Sequence, residues 1–393
     1  MNDTHTPKWI LPIIVISQFC GTSLWFSGNA ILTDLIPYFS LSNDALAHIT
    51  SAVQFGFIIG TLVFAVLSIA DRFSPSKIFM ISAFIAAICN LGVIWEQNTL
   101  ISILIFRFLT GFFLAGIYPI GMKIAADYYD KGLGKSLGFL VGALVLGTAF
   151  PHLLRGFTNE FPWKTILFIT SIIASIGGLS LYIFVPNGPY RKKNSILDFS
   201  VIIKIFKNKI FKKAAFGYFG HMWELYAFWA FVPVIISIYN TLHPLSTLNN
   251  AISSFIVIGI GAIACIISGY ISLHKGAKKT ATIALSISGI FCLISPLLFI
   301  IPSPLVFISL LSLWGMAVIA DSPLFSTLVA QSANPIHKGT ALTIVNCIGF
   351  AITIVSIQLL LLLQTYINPI YLFLILGIGP LFGLISIFKK ETT

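Results

Sequence analysis

The chain has 393 residues and a formal net charge of +11, with 57% hydrophobic and only 9% charged residues. A soluble domain carries about 25% charged residues, so this composition excludes a soluble enzyme or binding module and marks an integral membrane protein. Nothing in it calls for a nucleic-acid partner.

The amino terminus, MNDTHTPKW, places one cation before a long apolar segment and has no small-residue cleavage site, which predicts a retained first helix. Apolar stretches of about 20 residues, each enough to cross the hydrocarbon core, then recur along the chain. They are predicted near 9–37, 47–70, 78–95, 100–126, 134–157 and 164–185. A second set lies near 214–239, 249–273, 281–301, 305–330, 340–364 and 369–388. The predicted class is therefore all-α integral membrane, with twelve spans in two sets of six. A first bundle covers 1–185, a linker 186–213 and a second bundle 214–393. The linker, PNGPYRKKNSILDFSVIIKIFKNKIFKK, holds eight Lys or Arg. Its partial amphipathicity fits a short helix lying on the membrane surface, and a solvated basic linker fits equally well.

Orientation follows from the basic residues. With the amino terminus inside, 19 of the 23 Lys and Arg fall on the cytoplasmic side. Arg155 and Lys164 fall outside, while Arg107 and Lys123 lie within a span. Both termini are thus expected in the cytoplasm, and the positive charge is topology signal plus attraction to anionic membrane lipid. The cysteines, Cys20, Cys89, Cys265, Cys292 and Cys347, sit singly in apolar runs without metal-like spacing. They read as small hydrophobes, with no disulfide framework, metal or cofactor implied.

The loop after the second span reads LSIADRFSPSK (67–77), and the loop after the eighth reads GYISLHKGAKK (269–279). Both are damaged copies of Gly-x-x-x-Asp-Arg-x-Gly-basic-basic. The first keeps Asp71 and Arg72 but has Leu67 and Ser74 for the glycines. The second keeps Gly269 and Gly276 but has Leu273 for Asp. With two sets of six spans and a central basic loop, this pattern resembles the major facilitator superfamily of secondary transporters over the whole chain. The resemblance implies two pseudo-symmetric six-helix halves, alternating access, and Asp71, Arg72, Gly269 and Gly276 as parts of a conformational gate.

In the fourth span, RFLTGFFLAG, a helical wheel puts Gly111, Leu114 and Tyr118 within about 40° of Arg107. The family resemblance links that arginine to an interior position and proton transfer; a hydrogen-bonded packing arginine is the other reading. Lys123 and Asp127, four residues apart, can pair near the cytoplasmic end, as a structural lock that includes the Asp71 loop. The fifth span is glycine-rich, but it has Phe150-Pro151 and a lone Gly156 where drug–proton antiporters of the family carry Gly-Pro and paired glycines. That speaks against export.

The seventh span, FGHMWELYAFWAF (219–231), buries a carboxylate among aromatics, at a cost of about 3 kcal/mol on insertion scales. Glu224 shares a face with Gly217, Gly220, His221 and Phe228, while Trp223, Tyr226 and Trp229 lie off it. In the tenth span Trp314, Asp321 and Phe325 share a face, and Pro323 removes a helical hydrogen bond and frees a carbonyl near 319. The resemblance implies a cavity lined by the first, fourth, seventh and tenth helices. It would hold Trp25 and Asn29, Arg107 with Tyr118, His221 and Glu224, and Trp314 with Asp321; the eleventh helix adds Asn346. Glu224 is the expected proton carrier, with His221 as relay or tuner.

The second half is similar in wording to a bacterial branch labelled nitrate/nitrite or cyanate permease-like. Nitrate porters, however, carry arginines in the second and eighth spans and an Asn-bearing glycine signature in the fifth and eleventh; here the second and eighth spans hold no Arg or Lys and the fifth no Asn. The expected function is proton-coupled uptake of a small anionic or zwitterionic organic solute across a bacterial inner (cytoplasmic) membrane, by a monomer. Efflux of a drug or of a secreted metabolite such as a siderophore is the alternative. An enzyme is not expected: there is no HExxH, P-loop or carboxylate-rich metal motif. The short tails carry no sensor domain, and the repeat favours alternating access over a channel.

Overall fold

The computed structural model describes residues 7–42, 44–129, 133–157, 162–191, 202–246, 248–334 and 338–389, and every regular element in them is helical. In hydrocarbon each backbone polar group must be satisfied within its own segment, so long apolar runs of this composition fold as helices. The chain divides into two compact units, 1–197 and 198–393.

In the first unit the helices run α1 (Ile10–Thr22), α2 (Ser27–Ala30), α3 (Leu32–Tyr38), α4 (Ala45–Val66), α5 (Ile69–Arg72) and α6 (Pro75–Gly92). They continue as α7 (Leu100–Leu114), α8 (Tyr118–Tyr128), α9 (Leu133–Phe157) and α10 (Lys164–Phe184). The second unit contains α11 (Ile202–Lys207), α12 (Lys209–Leu242), α13 (Asn250–Gly259), α14 (Gly261–Lys275), α15 (Ala277–Leu298), α16 (Pro304–Ala320), α17 (Ser322–Ser332) and α18 (Lys338–Leu363). A 3-10 stretch, Pro369–Gly377, then leads into α19 (Ile378–Phe388).

Among the described residues, eleven helical stretches are long and apolar enough to span a membrane. The first predicted span is the exception, because it breaks into α1, α2 and α3. The fourth predicted span breaks between Leu114 and Tyr118, where Pro119 opens α8. Arg107 and Tyr118 therefore do not share one continuous helical face, which corrects the wheel drawn through all four residues. The tenth breaks at Asp321, with Pro323 in the first turn of α17.

Both ends of the predicted linker fall among the described residues. Residues 186–191 are bound to the first unit: the Tyr128 hydroxyl donates to Pro186 O (2.6 Å) and the Tyr190 amide to Asp127 O (3.0 Å). At the other end α12 already starts at Lys209, capped by the Asn208 side chain accepting from the amides of Ile210 and Phe211 (2.9 and 3.2 Å). Within the linker, where a short surface helix is one reading, 202–207 form the short α11, and 192–201 lie outside the described residues.

Glycine sets the tightest contact of the first unit, between α4 and α7. A Cβ on Gly111 would lie 1.9 Å from Val53 O, and one on Gly56 1.9 Å from Phe108 O, so the backbones touch. Gly111→Ala is therefore expected to push the helices apart and cost about 2–3 kcal/mol. Gly269→Ala, where a Cβ meets open space inside α14, should be neutral or stabilising by about 0.5–1 kcal/mol. Thermal unfolding in detergent separates the two, and equal midpoints would refute the close-contact argument.

Candidate functional site

In the first unit the polar centre is Arg107 on α7, fully buried. Its Nη1 donates to Ser27 Oγ (3.0 Å) and Asn90 Oδ1 (2.9 Å), and its Nη2 to the carbonyls of Leu24 (3.0 Å) and Trp25. Those carbonyls lie in the gap between α1 and α2, where helical partners are lost, so the guanidinium fork substitutes for the missing backbone bonds. Asn90 on α6 also donates to Ser171 Oγ on α10 (3.1 Å). Among the described residues no carboxylate pairs with Arg107, so its charge is held by neutral acceptors alone. Gly28 lies against it: a Cβ there would sit 3.1 Å from Arg107 Nε. Trp25 is buried against Phe57, ring centroids 4.9 Å apart, and Asn29 donates to Thr50 Oγ1 (2.6 Å). Tyr118 is half-buried at the start of α8.

In the short α5, Asp71 pairs with Lys123 of α8 at 2.9 Å, while Lys123 and Asp127 are 4.0 Å apart. The partner of Lys123 is thus first the loop carboxylate and second its helical neighbour. Arg191 Nη2 donates to the carbonyls of Asp71 (3.1 Å) and Phe73 (2.6 Å). Arg72 is exposed. Ser68 takes φ 50°, a left-handed conformation that favours glycine. In the second unit Gly276 has φ 80° between α14 and α15, so glycine there is required by conformation.

The second unit holds a buried carboxylate centre. Glu224, on α12 and 1% exposed, accepts from three side-chain donors on two helices. Trp314 Nε1 of α16 donates to Oε1 at 2.7 Å, Cys292 Sγ of α15 to the same oxygen at 3.2 Å, and Ser288 Oγ of α15 to Oε2. Among the described residues no basic group pairs with it. The Trp314 ring is fixed between Phe228 (4.6 Å) and Phe291 (6.5 Å, nearly parallel). One turn away, His221 Nδ1 lies 2.7 Å from Asp321 Oδ1, both fully buried. The approach is off the hydrogen-bond line, so it is an electrostatic contact that becomes an ion pair when the imidazole is protonated. Asp321 stands at the N-cap position of α17 without a side-chain cap bond, and the thiol of Cys265 reaches the Ile319 carbonyl at 3.7 Å. Asn346 of α18 accepts from the Tyr218 hydroxyl at 2.9 Å, and the Tyr218 ring is 5.9 Å from that of His221.

The structure thus gathers Glu224 with Trp314 and His221 with Asp321, and places Asn346 one aromatic ring further on. Trp223 bonds to Ile375 O (3.1 Å), and Tyr226 packs on Trp229 and Phe350, off the carboxylate face. Four participants were missing from the sequence reading: Ser27, Asn90, Ser288 and Cys292. Asn90 could have been found, since an amide in an apolar span obeys the rule that singled out Glu224. Cys265 and Cys292, read as small hydrophobes, both act as polar partners, which corrects that reading for these two.

A family model described as Major Facilitator Superfamily matches residues 14–357. The chain belongs to this superfamily. An "Ascochitine biosynthesis cluster MFS transporter" of Didymella fabae is 27% identical over 194 residues, 47% of this chain and 37% of that protein. "Efflux pump FUB11" of Gibberella moniliformis is 25% identical over 199 residues, 48% of this chain and 33% of that pump. The matched stretch thus spans about a third of either relative. The solved proton:xylose symporter XylE superposes with a TM-score of 0.73 at 15% identity, covering 96% of this chain and 95% of that one. It shares the fold. The protein is a transporter of the superfamily and not an enzyme.

Proposed function

We propose that this superfamily member takes up a small anionic or zwitterionic organic solute together with protons across a bacterial inner (cytoplasmic) membrane, as a monomer with both termini inside. The observation that carries the reading is Glu224: a fully buried carboxylate without a basic partner among the described residues, held by three neutral side chains. Such a group exists in hydrocarbon only where function requires it, and a carboxyl that gains and loses a proton is the simplest use. Arg107 is the matching buried cation of the first unit, and its uncompensated charge supports a solute that bears a carboxylate. In this reading Trp25, Asn29, Tyr118, His221, Trp314, Asp321 and Asn346 serve the solute and proton path. Asp71, Arg72, Gly269 and Gly276 serve the conformational gate, with bundles 1–185 and 214–393 and the linker 186–213. The likeness of the second half to the nitrate/nitrite or cyanate permease-like branch supports a small solute.

Efflux is the second reading, favoured by the likeness to the FUB11 pump. One experiment separates them. Organic acids, amino acids, siderophores and lipophilic cations are screened by thermal unfolding, since a ligand of the folded state raises the midpoint. The hits are then assayed in proteoliposomes under imposed pH gradients. Uptake predicts accumulation with the outside acidic, and antiport predicts it with the lumen acidic. Accumulation indifferent to both gradients overturns proton coupling.

A further inference from the structure

The three groups around Glu224 are not equivalent. Indole N–H is a donor only, and a thiol is a weak acceptor, whereas a hydroxyl donates or accepts by rotation. Trp314 and Cys292 both address Oε1, and Ser288 alone addresses Oε2. Building on the reading of Glu224 as the proton carrier, we propose that Ser288 is its switching partner, a positioning residue that bonds the carboxyl in both protonation states. In the ionised state the Ser288 hydroxyl donates to Oε2. When a proton binds, it goes to Oε2, because a proton on Oε1 would face the indole N–H head-on. The new O–H donates to Ser288 Oγ, and the displaced hydroxyl hydrogen turns to the carbonyl one helical turn back. That acceptor is normal for hydroxyls in helices, and neighbours on α15 use it: Thr282 donates to Lys278 O (2.8 Å) and Ser286 to Thr282 O (2.7 Å). No bond forms or breaks beyond the transferred O–H, and the number of hydrogen bonds to the carboxyl stays constant. Trp314 and Cys292 instead favour the ionised form, because a donor bonds a carboxylate about twice as strongly as a neutral acid.

The other titratable groups facing Glu224 are His221 on its own helix, Asp321 at the α16–α17 break and Cys292 on α15. The test is infrared titration of the purified protein in detergent, with no solute present, following the protonated carboxyl band that Glu224→Gln removes. Trp314→Phe keeps the aromatic stack and is expected to displace the titration by about tenfold in proton affinity. Ser288→Ala, which costs both states a bond, is expected to stay within about threefold but to move the band toward that of a free acid. Ser288→Thr should keep the wild-type band and midpoint. If Ser288→Ala does not fold, Ser288→Cys, a weak acceptor, takes its place with the same expectation. A Ser288→Ala midpoint displaced as far as that of Trp314→Phe would make Ser288 one more donor and overturn the inference, leaving Glu224 as carrier. Absence of any band lost in Glu224→Gln would instead overturn the reading of Glu224 itself.

Discussion

Glu224→Gln is expected to lower pH-gradient-driven accumulation at least about a hundredfold, while exchange of labelled for unlabelled solute without a gradient continues. The argument rests on how little else the substitution changes. The glutamine carbonyl still accepts from Trp314 at the place of Oε1, and its amide can donate to the Ser288 hydroxyl, which turns to accept. Shape and hydrogen-bond count survive, and only the capacity to bind a proton is lost. Exchange needs the conformational cycle but no net proton transfer, so the two assays part company in this variant. Glu224→Ala is the contrasting case. It leaves the Trp314 N–H and the Cys292 thiol buried without that acceptor, costing about 1–3 kcal/mol for the indole, while the Ser288 hydroxyl can turn to the carbonyl one helical turn back, so the variant is expected to unfold earlier in detergent. If Glu224→Gln accumulates solute like the parent chain under a gradient, the carboxyl is structural and the proton travels by another route, with His221 and Asp321 next to be examined.

How far the sequence reaches is set by which contacts decide each feature. The all-helical class was legible because the bilayer leaves an apolar run of about 20 residues few alternatives. The break at Asp321 was legible too, since Pro323 names the carbonyl it releases. The same rule at Pro119 parts Tyr118 from Arg107. The broken first span has no proline inside the gap to announce it. Its unwound turn at Leu24 and Trp25 is held open by an arginine more than 80 positions later, and no local pattern carries that information. The same holds for the Glu224 donors. The carboxylate stood out against its apolar run, but Ser288 and Cys292 are small residues of ordinary helix content. Only the packing of α15 on the rest of its unit gives them a partner.

Arg107→Ala is expected to be among the most destabilising single substitutions in the first unit, by about 3–5 kcal/mol, the scale for removing one member of a buried charged network. Four hydrogen bonds end on this guanidinium, and two of their acceptors are backbone carbonyls that the gap between α1 and α2 has already deprived of helical partners. Without it the gap must close into helix or admit water. The first would move Trp25 and Ser27; the second would wet the buried Asn90 network that joins α6 to α10. Arg107→Lys keeps the charge but offers a compact ammonium where a planar fork spans Ser27, Asn90 and two carbonyls, so most of the loss should remain. Thermal unfolding of both variants, with proteolysis at 22–27, measures the effect. Normal unfolding of Arg107→Lys together with lost solute binding would reverse the assignment and make Arg107 a solute ligand first. Early unfolding of both with the 22–27 stretch newly cleavable would establish that the cation is first a clamp on the broken helix, whose charge reaches a solute only through the field it casts.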